Sequence, residues 1–218
     1  VIPAKLPTFT IEELEGKAAK FLKDAFPQGI QIPIDIELLL ETRDGVDFDL
    51  WPKLEANHGV AGAVMKDVNR DRLIIYVDED IADNASRRNF YRMTVAEELA
   101  HIVLHEPVVK EVVAPEDFHH LQQHKQWYEA ERNAKRLAAA LLMPPELLHR
   151  ESNRIYGELV RTAGYRNVEI IKKYLCSHAA QLFEVSVQAM SYRLREWPMR
   201  INEKVEKAIK SRLETLDF

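Results

Sequence analysis

Val95-Ala96-Glu97-Glu98-Leu99-Ala100-His101-Ile102-Val103-Leu104-His105 is the stretch on which the reading of this chain turns. On a helix, positions 97 and 101 lie one turn apart on one face, with Glu98 beside them. The layout is that of the helical zinc motif H-E-x-x-H with a glutamate in the first histidine position. Carboxylate oxygen and imidazole nitrogen both bind zinc, so Glu97 and His101 form a chemically competent pair and Glu98 is free to polarise a bound water. The same spacing also arises on charged helices that hold no metal, where Glu98 is a solvated residue and His101 a hydrogen-bonded core histidine. Val95, Leu99, Ile102 and Val103 form an apolar stripe at helical spacing, which anchors the helix in a core and leaves a separate polar face for chemistry.

The flanks widen the pattern. Asn89-Phe90-Tyr91-Arg92-Met93-Thr94, running into the stretch above, resembles the R-F-T-x-A-H-E-L-G-H-x-x-L-H segment of the ImmA/IrrE-type metallopeptidases, the DUF955 family. Downstream, Asn133-Ala134-Lys135-Arg136-Leu137-Ala138-Ala139-Ala140-Leu141-Leu142-Met143-Pro144 is similar to that family's E-A-N-x-F-A-A-x-L-L-M-P, and Leu182 to Leu194 is similar to its F-x-V-S-x-x-A-x-x-x-R-L. The three matches cover roughly residues 30 to 197 in the family's order. The resemblance implies an α+β fold, a small β-sheet packed against a helical zincin-like core, with a helical C-terminal part.

Residue by residue, the resemblance implies metal ligands at Glu97, His101 and Asn133, with Glu98 as the general base. Two of the three ligand positions depart from the family's histidine and glutamate. Asn133 offers only a neutral amide oxygen, a weak donor for zinc. Glu129, four residues earlier and one helical turn away, is the expected substitute, whereas Glu131 is expected to turn to the opposite side. A site of Glu97, His101 and Glu129 is oxygen-rich and suits manganese or iron, or holds zinc weakly. Low or absent metal occupancy follows, with zinc as the cofactor if the site is active.

Composition bounds the rest. The 218 residues suffice for one substantial core plus an appendage, expected as residues 1–145 and a helical region at 146–218. A single cysteine, Cys176, excludes an intrachain disulfide framework and suits a reducing compartment, the cytoplasm. The net charge of −5 provides no bulk attraction to nucleic acid. Residues 1–7 are too short and prolyl for a signal peptide, and no apolar run reaches membrane-spanning length.

Along the chain, Thr10 caps a helix expected to run to Phe26, where Pro27 and Gly29 stop it. Residues 30–33 read as a short strand and 34–41 as a helix. Residues 59–65 and 72–77 read as strands joined by a turn at 67–71. Helical patterning returns at 84–104. The proline-broken segment 106–124 reads as a flap over the cleft, and its His119, His120 and His124 are a weaker metal candidate than the motif helix. Residues 126–143 form a helix that Pro144 and Pro145 end, and Ala138 to Ala140 permit close approach to the motif helix. A helix-turn-helix-like segment spans 179–197, with Gln188, Ser191, Arg193 and Arg195 as candidate DNA contacts and Leu182, Val185 and Leu194 as core. Residues 200–215 read as an amphipathic helix.

These expectations define a regulatory protein that works by binding a protein partner, as a degenerate metallopeptidase in stress response or mobile-element control. The alternatives are an active metal-dependent endopeptidase, a hydrolase that cuts a repressor-type protein, and a DNA-binding transcriptional regulator.

Overall fold

The computed structural model describes residues 6–162 and 167–216, with the side chains of His119 and Thr162 excepted. The chain divides into two compact units, Val1–Ile30 with Asp35–Leu142, and Gln31–Ile34 with Met143–Phe218. Charge divides with them. The first unit carries 17 basic and 25 acidic side chains, net −8, and the second 13 and 10, net +3, which together make the −5 of the chain.

The first unit opens with α1 (Ile11–Ala25), whose N-cap Thr10 forms a full capping box with Glu13. The strand expected at residues 30–33 does not form. That stretch is an irregular bend, and Asp35 then caps α2 (Ile36–Glu41) by accepting from Leu38 N–H. Strand β1 (Val46–Trp51), helix α3 (Leu54–His58), strand β2 (Gly62–Asp67), strand β3 (Arg72–Asp78) and the single-turn α4 (Glu79–Ala82) follow. The sheet order is β1-β3-β2, with β1 parallel and β2 antiparallel to the central β3. β1 is half exposed with alternating acids, and Arg72 of β3 grips its Asp47 through two 2.7 Å bonds.

A 3-10 turn, Ala85–Arg87, leads into α5 (Arg88–Val109), which packs on β2 and β3. Val95, Leu99 and Ile102 are buried as their spacing requires. The helix runs five residues past its expected end and contains a kink. His105 has φ −130° and ψ 26°, two residues before Pro107, which lacks the N–H for the helical ladder and crowds the preceding turn. Within residues 106–124, the segment expected as a flap, the rest of α5 and then α6 (Pro115–Gln122) occupy most of the length. Next, α7 (Trp127–Leu142) packs on α5 and α1, with Ala130, Ala134, Leu137, Ala138 and Leu141 buried.

The second unit is helical, comprising α8 (Pro145–Thr162), α9 (Val168–Phe183), α10 (Val187–Arg195) and α11 (Ile201–Lys210). The turn between α9 and α10 has Glu184 in the left-handed region, φ 49°, and Ser186 as N-cap accepting from Ala189 N–H. Val185 and Leu194 are buried and Leu182 is half-buried. Among the described residues, no helix is long and apolar enough to cross a membrane.

Candidate active site

The site lies within the first unit, between β2 and the helices α5 and α7. Glu97 and His101 stand one turn apart on α5, and α7 runs past them with Trp127, Glu131 and Lys135 in successive turns. The pairings run in opposite directions along the two helices. Lys135 Nζ lies 3.5 Å from Glu97 and 3.4 Å from Glu131, His101 Nε2 lies 3.1 Å from Glu131, and the His101 ring stacks on Trp127 at 5.6 Å. One donor atom each from Glu97, His101 and Glu131 lie within 4.8 Å of one another, the one such group of His, Cys, Asp and Glu donors among the described residues.

This corrects the expected ligand set. Glu129 pairs with Arg132 at 3.2 Å and lies outside the group. Asn133 is buried, does not line the cleft, and its amide nitrogen has no hydrogen-bond partner among the described residues. Two residues make 200° of helix, so whichever way Glu131 points, Glu129 and Asn133 point nearly opposite. The expectation took Asn133 as its reference, and Asn133 faces the core. Trp127, Glu131 and Lys135, at i, i+4 and i+8, form the stripe that faces α5.

Glu98 is half-buried at the other side of the motif, against β2. A Cβ built on Gly62 would sit 2.6 Å from the Thr94 methyl and 2.9 Å from both Cγ and Oε1 of Glu98. Glycine is therefore the residue that lets this strand lie against the carboxyl. The absent Cβ is needed here for space, and no left-handed backbone is involved.

Burial sets the electrostatics. It pushes the Glu98 carboxyl up to about 8, against the pull of His101, and it also raises Glu97 despite Lys135. His101 is raised: burial favours its neutral ring, but the Glu131 hydrogen bond and the carboxyls of Glu98, Glu131 and Glu97 outweigh it. Glu131 is lowered: burial pushes it up, but the hydrogen bond and charge of His101 and the ammonium of Lys135 together outweigh it. Lys135 is raised because Glu97 and Glu131 outweigh its burial. His105 is held neutral, down to about 4, by burial and by His101.

A cleft of about 380 Å³ opens onto these groups, with residues 59–64, Phe90, Thr94, Val109, Val112, Phe118, Leu121 and Trp127 in its lining. β2 is an edge strand. Lys66 N–H turns outward to Val112 O at 2.7 Å, while Asp78 N–H reaches Ala61 O from the β3 side. By alternation, the backbone groups of Gly62 and Val64 turn outward as Lys66 does, into the cleft.

The other candidates separate from this site. His120 is exposed and the Nδ1 of His124 accepts from Gln126 N–H, while the side chain of His119 lies outside the described residues. In the second unit, Gln188 and Arg195 are exposed and Ser191 is half-buried. Arg193 is a correction: it is buried, and its Nε donates to Met143 O at 3.2 Å, so it serves packing and does not reach a duplex. Arg195 lies over the Tyr192 ring at 4.9 Å.

A family model described as the IrrE N-terminal-like domain matches residues 59–195, well over half of the chain. The match begins at the glycine that ends α3 and closes with α10, so it takes in the sheet edge, the motif helix and α7. The chain belongs to this family. No curated protein matches it.

The donors fit a divalent cation, with two carboxylate oxygens and one imidazole nitrogen converging. The set is harder than the usual histidine-rich zinc site and is degenerate at Glu97.

Gly62→Ala tests the packing of Glu98. Forcing a methyl into this space should cost about 1–3 kcal/mol, read as a lower denaturation midpoint at unchanged slope. An unchanged midpoint would contradict the close approach.

A second test uses pH. The unfolded Glu98 carboxyl ionises near 4.5 while the folded one keeps its proton until about 8. Between those values the unfolded chain binds fewer protons, so the group's contribution to stability falls as pH rises. Melting of the wild type should therefore decline relative to Glu98→Gln between pH 4.5 and 8, and a pH-independent difference would rule out the buried acid.

Proposed function

We propose that this chain is a peptidase-fold regulatory protein that captures an extended segment of a partner protein in its cleft, as a degenerate metallopeptidase. The observation that carries this reading is the open edge of β2. Gly62 and Val64 line a cleft of about 380 Å³ whose lining also includes the apolar Phe118, Leu121 and Trp127. An extended chain can add to such an edge through main-chain bonds while its alternate side chains enter the apolar part. The shape suits a polypeptide, and by family resemblance the partner is a repressor-type protein in stress response or mobile-element control, met in the cytoplasm.

DNA is a weaker partner for this chain, because Arg193, one of the two basic side chains expected to contact it, is committed to Met143 O.

A metal-dependent endopeptidase is the second reading, favoured by the convergence of Glu97, His101 and Glu131 beside Glu98. Those three residues would hold the metal, which when bound supplies Lewis-acid polarisation of the scissile carbonyl and of water. Glu98 would then orient and deprotonate that water, Gly62 would let strand and carboxyl meet closely enough to place the peptide, and Trp127 would fix the plane of His101 by stacking.

Peptides selected from a displayed random library separate the two. Phe90 lines the cleft but is 43% exposed, so Phe90→Ala leaves the fold intact. Loss of such an apolar contact should weaken a selected peptide by about tenfold, 1.4 kcal/mol. Glu98→Gln should bind as the wild type does, and the peptide should stay intact with either. Failure of selection, or equal binding by Phe90→Ala, contradicts peptide capture in this cleft. Cleavage by the zinc-supplemented wild type that is lost in Glu98→Gln establishes the endopeptidase.

A further inference from the structure

Lys135 occupies an unusual place for a lysine on an exposed helical face. Its ammonium sits 3.5 Å from Glu97 Oε1 and 3.4 Å from Glu131 Oε2, the two carboxylates that converge with His101. We propose that Lys135 is the resident cation of this site, standing against the two carboxylates where a divalent ion would bind and weakening metal binding by competition.

Charge and position support the assignment. Glu97 and Glu131 bring two negative charges together in a half-buried place at the cleft, and leaving them side by side without a counter-ion is costly. A divalent cation would neutralise both from outside the chain. Here Lys135 reaches both at once, and His101 Nε2 faces Glu131 Oε1 at 3.1 Å, so the compensating groups come from α5 and α7 themselves. Lys135 is also the most exposed of the three. Its side chain is 57% exposed while that of Glu97 is 19% and that of Glu131 26%, so the ammonium can swing into solvent without disturbing the carboxylates. A metal ion therefore enters by exchange, displacing Lys135, and its apparent affinity is reduced by the strength of the two ion pairs it replaces.

The inference goes beyond the capture reading and is tested without any partner peptide, so either can fail while the other stands. The probe is zinc ion alone, measured by competition with a chromophoric chelator and by the zinc-induced gain in melting temperature. Lys135→Met keeps the aliphatic stem and removes the charge. It should bind zinc about tenfold or more tighter than the wild type and show a larger zinc-induced gain in melting temperature. Lys135→Gln should follow it, while Lys135→Arg, which keeps a cation, should stay near the wild type. Adding His101→Ala to Lys135→Met should abolish the gain. Equal zinc affinity in the wild type and both neutral variants would overturn the proposal, as would a gain that survives His101→Ala.

Discussion

The packing of α5 against α7 is the constraint on which the site depends. Each helix presents its functional residues at intervals of four, Glu97 and His101 on one and Trp127, Glu131 and Lys135 on the other. They meet because the helices run past one another in opposite directions with small residues in the interface region. Ala96 and Ala100 on α5 and Ala130, Ala134 and Ala138 on α7 are buried. Side chains this small let helix axes approach, and close approach brings carboxylate, imidazole and ammonium into hydrogen-bond range. Stacking of His101 on Trp127 and its bond to Glu131 then fix the ring in both plane and direction.

A second constraint comes from the sheet. Gly62 allows β2 to lie against Thr94 and Glu98, so the edge strand that lines the cleft also closes over the motif glutamate. Burial then favours the protonated carboxyl. One packing choice thus links sheet edge, cleft and acid–base state. The kink of α5 at His105 starts the last part of the helix on a new line, from which Val112 accepts the bond from Lys66. That bond occupies one end of the β2 edge and leaves the Gly62 end beside the charged groups.

Much of this was legible in the residues. The motif's spacing placed Glu97, Glu98 and His101 on one helix, the alanine- and leucine-rich stretch located α7, and the ordered motifs pointed to the family that the chain belongs to. What failed was the angular reference on α7. The motif match makes Asn133 the reference and sets Glu129 and not Glu131 on its face; the buried set Ala130, Ala134, Leu137 and Leu141 is the better reference, because Glu131 lies at its border. Strand β1 escaped notice because Asp47 and Asp49 interrupt its apolar residues, and its pairing with β3 is supported by a distant Arg72. Arg193 misled for a related reason. An arginine on a helix reads as solvent-facing, and only the folded second unit shows a carbonyl, Met143 O, waiting to receive it.

The central claim is that α7 turns Glu131 toward His101. It can be read directly from the titration of His101 in protein carrying isotope-labelled histidine, followed by nuclear magnetic resonance in the absence of added metal. His101 should keep its proton to higher pH than an exposed histidine, and Glu131→Gln should lower its midpoint. A midpoint at or below that of an exposed histidine, unmoved by Glu131→Gln, would show that Glu131 does not face His101 and would contradict the account.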